Sequence, residues 1–383
     1  MRGVRFGRKA LRHENTRVII IRSPGIRRRL ISRFSSAHAP FAVFNRFFLP
    51  SRTALRAATF RATTLRATTL CVVFLAVCLG ASTVRAATLR VAPALPSPGD
   101  VLTITIYPAP GERVTAASMT AFDTPEVKFY GRRDGSARAF VGLPFDRHGG
   151  DFPLQARVQI QRNRNPGGST IGAANGVAIE EAVTEANADA VVSEQRLSTH
   201  VRARERYFPT QRISMNSSTA GTMSKKGALR QEKSRVQSAM KNSYAAPLWN
   251  GSWIVPTRGT QSSSYGRKRY VNGKWWGQHN GADVKAPGGA SVLAANSGRV
   301  VLSQYLPTLR GNCIVVDHGC NVFSIYMHLS KRLVNAGQSV GRGQLIGRVG
   351  ATGFVTGPHL HWEVRVGQEP VDPMRIVASG LQF

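Results

Sequence analysis

From Thr88 to about Ser214, apolar and polar residues alternate in short runs such as LTITIYP, VKFYG, ARAFVGLPF and ARVQIQ, separated by PSPGD, PAPGE, DRHGGD and NPGGS. A period of two sends alternate side chains to opposite faces of a strand, and Gly/Pro clusters at this spacing mark turns. The stretch therefore predicts a small antiparallel β-sandwich. GAANGVAIEEAVTEANADAVVSEQ breaks the rhythm and reads as a partly helical insertion, placed near 165–195.

The pattern changes twice more. KKGALRQEKSRVQSAMKN, from Lys225 to Asn242, has sparse apolar positions and predicts a helix joining two domains, its charges forming a solvated face. Beyond Asn250 come Gly-punctuated strands: GASVLAANSGRVVLSQY, GNCIVVDHG, NVFSIYMHL, SVGRGQLIGRVG and HLHWEVRVG. With no long helix among them, this part should be all or mostly β. The expected division is a leader over 1–86, a β domain over 87–214, a helical linker over 215–249 and a second β domain over 250–383.

The formal charge of +32 changes meaning once it is divided along the chain. Residues 1–86 hold 17 Lys and Arg against the single acid Glu14, leaving 35 basic and 19 acidic side chains for the other 297 residues. That balance still favours an anionic polymer as a neighbour, without naming one. Nucleic-acid binding predicts basic residues interleaved with stacking aromatics on one surface. Only RKRYVNGKWW, Arg267 to Trp276, has that character, and beside HNGAD it reads better as the wall of a groove; nucleic acid is not an expected partner.

LCVVFLAVCLGA, from Leu70 to Ala81, is too short to span a bilayer comfortably, and it lies between Arg66 and the small-residue step Val84-Arg85-Ala86. The reading is a secretory signal peptide cleaved after Ala86, leaving no membrane span and an exported protein in the periplasm, wall or medium. An uncleaved anchor is one alternative. The Arg-rich, acid-poor stretch upstream also fits an organelle transit peptide. Cys71 and Cys78 leave with the signal, and the extended run between Cys313 and Cys320 holds them beyond disulfide reach, so no bridge is expected.

The candidate chemistry lies near the C-terminus, in HNGAD (His279, Asp283), YMHL (His328) and HLHWE (His359, His361). In HLHWE the two histidines alternate around Leu360, so both imidazoles share a face. A metal ligand and a proton-handling group can thus stand side by side. His279 and Asp283, with Gly281 permitting a tight turn, add the other ligand types, and a His/Asp/His set leaves a fourth tetrahedral position for water. Each motif alone is weak, since HxH is more often a pair of surface histidines and HxxxD occurs in many loops. His328 alone would more often be structural; beside a metal-bound water it would be a base or would stabilise an oxyanion. The chain has no HExxH helix, which excludes the helical zincin arrangement.

From about Gln261 to Met374, through SSSYGRKR, HNGADVKAPGGASVLAANSGRVV, GNCIVVDHG, YMHLS, GQSVGRGQLIGRVGATGFVTGPHLHWEVR and VDP, the chain resembles the lysostaphin and LytM type of zinc endopeptidases that cut peptidoglycan cross-links. The resemblance implies a mostly β fold, with a C-terminal antiparallel LytM-type domain built on a duplicated hybrid motif. It implies one zinc per chain on His279, Asp283 and His361, with His328 and His359 assisting the attacking water and stabilising the tetrahedral intermediate. All five positions are filled, unlike those of degenerate relatives that act as activators of other wall hydrolases. Lys268 stands where the family often has Arg, and Tyr265 replaces Phe. PSPGD, FVGLPFD and YFPTQRIS further resemble the Ig-like β-sandwich that precedes the peptidase in a subset of the family. The expected partner is the cross-link peptide, with a D-Ala to meso-diaminopimelate bond preferred over a glycine bridge, and a non-catalytic wall-binding or activating module is the alternative.

Overall fold

The computed structural model describes residues 86–122, 124, 126–163, 190–216, 221 and 225–383. The leader with its signal peptide, and residues 164–189 of the expected insertion, lie outside the described residues. The described residues all belong to one compact unit. Among the described residues no helix is long and apolar enough to cross a membrane.

The first part holds β1 (Thr88–Ala92), β2 (Val101–Tyr107), β3 (Glu112–Thr120), β4 (Tyr130–Gly131), β5 (Ala137–Gly142), β6 (Gly150–Asn163), β7 (Ala190–Ala203) and β8 (Thr210–Ile213). β1-β2-β5-β4 form one sheet and β3-β6-β7 another. The alternation dictates how they meet. Leu102, Ile104 and Ile106 of β2 and Ala139 and Val141 of β5 share a core with Leu154, Ala156, Val158 and Ile160 of β6. Ala190–Gln195, expected in the inserted segment, is instead the start of β7 and pairs antiparallel with β6. Its alternating VVSEQRLSTHV is a strand signal that the acidic residues before it obscured.

The second part holds α1 (Lys226–Ala239), β9 (Thr260–Ser263), β10 (Lys268–Val271), β11 (Lys274–Gln278), β12 (Ala282–Lys285), β13 (Ser291–Leu293), β14 (Gly298–Leu306), β15 (Gly311–Asp317), β16 (Val322–Leu329), β17 (Lys331–Arg332), β18 (Ser339–Val340), β19 (Leu345–Arg348), β20 (Leu360–Val366), β21 (Glu369–Val371) and α2 (Pro373–Ser379). The protein is thus mostly β. Its main sheet runs β18-β14-β15-β16-β20-β12-β9 with β21 beside β20, and the pairings within it are antiparallel.

The two faces of that sheet do different things. Leu360, Trp362 and Val364 of β20 point into the largest apolar core, while His361, Glu363 and Arg365 point the other way. On this second face Phe323, Ile325 and Met327 of β16, with Cys313 and Val315 of β15, are covered by Val236 and Met240 of the α1 segment. The helix therefore packs on this face through Val236 and Met240, while Lys226, Arg230, Lys233 and Arg235 form the expected solvated face. Its Glu232 is buried and accepts backbone N–H bonds from Thr308, Leu309 and Arg310. Cys313 and Cys320 are free and buried.

The first part leans on the second through the outer face of its four-stranded sheet. Phe140 of β5 and Tyr130 of β4 enter the core of the main sheet, where the Phe140 ring lies 5.6 Å from Trp249 and 6.4 Å from Phe383. Polar links frame this seam: Asp372 caps α2 at Met374 and pairs with Arg206, and its N–H donates to the Gly99 carbonyl. β8 goes further and pairs in parallel with β10, becoming part of the second half's own sheet edge.

Candidate metal centre

Neighbouring strands bring the candidate side chains together because their register is fixed by pairing. Asp283 of β12 lies opposite His361 of β20, and Met327 of β16 lies opposite the other side of His361. His279 enters from the end of β11. The glycine between His279 and Asp283 is required for a reason other than a turn. A Cβ on Gly281 would sit 2.3 Å from the Trp362 carbonyl oxygen, so only glycine lets this loop lie against β20.

The three expected ligands converge. His279 Nε2 lies 3.0 Å from both Asp283 Oδ1 and His361 Nδ1, and His361 Nδ1 lies 2.8 Å from Asp283 Oδ1. Their ligand atoms are all within 4.8 Å of one another, the one such cluster among the described residues. Two imidazole nitrogens and a carboxylate oxygen aimed at one point form a donor set that suits a divalent ion such as zinc. The far side of each ring is also fixed. His279 Nδ1 lies 2.8 Å from the Ser264 carbonyl, which leaves a lone pair on Nε2, and His361 Nε2 lies 3.1 Å from Glu363 Oε1. Arg365 Nε holds the other Glu363 oxygen at 2.7 Å.

Electrostatics follow from burial and these partners. Burial pushes His279 down to about 4, leaving it neutral and able to ligate. Burial pushes Asp283 up, but the hydrogen bonds and charges of His279 and His361 outweigh it and hold the carboxyl well below its usual range. His361 feels the same burial, yet its hydrogen bonds to Asp283 and Glu363 leave it above the ordinary histidine value.

His328 reaches the site by a backbone device. Simple alternation from Met327 would send it to the opposite face. The β15–β16 register shifts between Asn312 and Ile314, and His328 itself takes φ +62°, so both Met327 and His328 line the groove. Its Nδ1 lies 2.9 Å from the Thr352 carbonyl, and its ring centre is 5.0 Å from that of His359. His359 Nδ1 lies 2.8 Å from the Gly357 carbonyl, and its Nε2 lies 3.8 Å from Asp283 Oδ1. Both rings thus present Nε2 to the centre. Burial holds each below the usual histidine value, His328 well below, so both are neutral at pH 7.

The surrounding groove has a volume of about 640 Å3. Trp276 stacks on Phe354 at 5.4 Å along one wall, and Arg269, Val271 and Trp276 place the RKRYVNGKWW segment in the lining as expected. Sequence reasoning missed several supporting residues. Arg269 donates to Asp283 Oδ2, to Ser263 Oγ at 3.1 Å and to Gln211 at 3.2 Å, so β8 helps to position a ligand. Glu363 could have been found from its place two residues beyond His361 on the same strand face. Nothing local marks Gln211 or Glu232, which arrive from distant segments.

The family model for peptidase family M23 matches residues 277–373, which include all five candidate residues. Among curated proteins, the chain is 47% identical over 97 residues to the peptidoglycan DD-endopeptidase ShyA of Vibrio cholerae, covering 25% of this chain and 22% of that protein. It is 36% identical over 115 residues to the DD-carboxypeptidase/endopeptidase Mpg of Neisseria meningitidis, covering 30% and 26%. The chain thus spans about a quarter of the length of these relatives. Among solved structures, it is similar to the catalytic domain of the antimicrobial peptidase lysostaphin from Staphylococcus simulans, at 34% identity, 32% and 93% coverage and a TM-score of 0.29.

Proposed function

Since residues 277–373 form a peptidase family M23 domain, we propose that this chain is an exported zinc endopeptidase that hydrolyses peptide cross-links of bacterial peptidoglycan, with D,D specificity. One observation carries the reading: His279 Nε2, Asp283 Oδ1 and His361 Nδ1 converge beside two imidazoles that are free to move protons. The similarity to peptidoglycan DD-endopeptidases supports the substrate class and an address in the periplasm or wall.

A zinc ion held by the three ligands supplies a Lewis acid for the scissile carbonyl and an acidified water near neutral pH. The chain's own groups do the rest. His328 and His359 each commit Nδ1–H to a backbone carbonyl, so each Nε2 carries a lone pair toward the groove. One such Nε2 accepts a proton from the attacking water, and the N–H formed there can donate to the developing oxyanion or return the proton to the leaving amine. Glu363 and Arg269 keep His361 and Asp283 from rotating out of position. The β-sandwich half serves this centre through β8, and we regard residues 87–214 and 250–383 as two domains joined by the α1 linker.

The test is zinc content together with mass spectrometry of muropeptides released from defined sacculi. One zinc per chain and release of cleaved cross-link peptides is the expected result. Protein that binds sacculi and releases nothing would instead identify a wall-binding or activating module.

A further inference from the structure

We propose that Arg310 reads a free carboxylate on the leaving-amine side of the scissile bond. The inference rests on the endopeptidase reading above and extends it to substrate selection. Arg310 lines the groove with Leu309, Met327 and His328, and it is 7% exposed. Its guanidinium is cationic and carries five N–H donors. Nε and Nη1 are buried and meet no hydrogen-bond acceptor among the described residues. The nearest countercharge is Glu232, whose carboxylate lies 3.7 Å from Nη1, beyond hydrogen-bond reach.

That carboxylate is already engaged elsewhere. Glu232 accepts from the backbone N–H groups of Thr308, Leu309 and Arg310, and so fixes the loop that carries the guanidinium. Leaving buried charged donors unmade is costly, and the great majority of buried polar groups are satisfied. A planar guanidinium held this way on the wall of a groove matches a carboxylate, which can accept two parallel N–H bonds from one edge, Nη2 with either Nε or Nη1. Arg269, another cation of the groove wall, is spent on Asp283, Ser263 and Gln211, while Arg212 and Lys285 also line the groove.

Position narrows the choice of carboxylate. The Arg310 carbonyl accepts the backbone N–H of His328 at 2.9 Å, so the two residues are locked together. His328 is one of the two groups placed to return a proton to the leaving amine. A carboxylate on the carbon bearing that amine nitrogen therefore falls on the Arg310 side of the centre. A cross-link from D-Ala to meso-diaminopimelate carries such a group; a glycine bridge does not.

The experiment compares two synthetic cross-linked peptides that differ only in this group, one with the free carboxylate and one with its carboxamide. Cleavage and calorimetric binding are measured for the full chain and for Arg310→Gln and Arg310→Lys. The unaltered chain should favour the carboxylate peptide by about ten- to a hundredfold in both readouts, the scale of a charged hydrogen bond. Arg310→Gln should reduce that preference to within about twofold, with Arg310→Lys between, while zinc content and circular dichroism stay as in the parent. Equal binding of the two peptides by the parent overturns the assignment, and so does a preference that persists in Arg310→Gln. If neither peptide is cleaved, the endopeptidase reading fails, and the calorimetric preference still decides the role of Arg310.

Discussion

The Nε2 atom of His361 lies 3.1 Å from Oε1 of Glu363, two residues further along the same strand face. The ring is thereby held at both nitrogens, because Nδ1 meets Asp283 at 2.8 Å. A carboxylate behind a ligating imidazole fixes its tautomer and raises its basicity. Removing the carboxylate in Glu363→Ala should weaken zinc binding by about 10- to 100-fold, with Glu363→Gln intermediate because it keeps an acceptor. Competition against a chelator of known affinity measures this. Parent-like affinity in both variants would show that His361 is held by packing alone.

Ligands and proton carriers should separate cleanly under substitution. His279→Ala and Asp283→Ala each remove a converging donor and should lose zinc and muropeptide release together. His328→Ala and His359→Ala should keep one zinc per chain yet slow turnover by about 10^2- to 10^4-fold, the range of positioned acid and base groups. Metal analysis alongside turnover tests the split. Zinc loss in the His328 variant would make it a ligand instead.

The centre was legible in the sequence to the extent that strand alternation carries it. His359, Leu360 and His361 alternate, with Leu360 on the apolar face, whereas the pairing of Asp283 with His361 across strands emerges only from the fold. His328 was legible as a candidate but not as a bulge, since its approach depends on one irregular pairing that no local pattern announces. The helix expected within Lys225 to Asn242 spans Lys226–Ala239, and its Lys226, Arg230, Lys233 and Arg235 are exposed, with Glu232 the exception. Glu232 looks like any exposed helix acid until the 308–310 loop, some 75 residues later, folds onto it. Contacts of that range are set by topology, and composition gives no hint of them.

The seam between the two halves should behave as a core. Phe140 is buried against Trp249 and Phe383, although its own strand belongs to the β-sandwich. Phe140→Ala should cost about 3–5 kcal/mol, the usual range for emptying a buried aromatic site. Urea unfolding followed by tryptophan fluorescence and circular dichroism should give one coincident transition in the parent, shifted to lower urea in the variant. Two separate transitions, with the peptidase half unmoved by the substitution, would mean that the seam is a mere docking contact.

Acid should destabilise the fold through His318, away from the metal centre. This residue is fully buried, with Nδ1 2.8 Å from the Ser297 carbonyl and Nε2 2.7 Å from the Ser324 hydroxyl, and its ring is 4.7 Å from Trp253. Burial pushes it down to about 4, against an ordinary value near 6.5. Between those two values the unfolded chain binds the proton and the folded chain does not, so the neutral ring's contribution is complete above about pH 6.5 and is lost as pH falls toward 4. At about 1.4 kcal/mol per unit, the loss across that window is roughly 3 kcal/mol. Burial also lowers His279, His328 and His359, whereas His361 is raised, so the comparison must be made between parent and His318→Gln, both with chelator present. The variant should be less stable at pH 7.5, and its stability should fall less steeply on acidification. Parallel pH profiles for the two proteins would remove His318 as a source of the acid sensitivity.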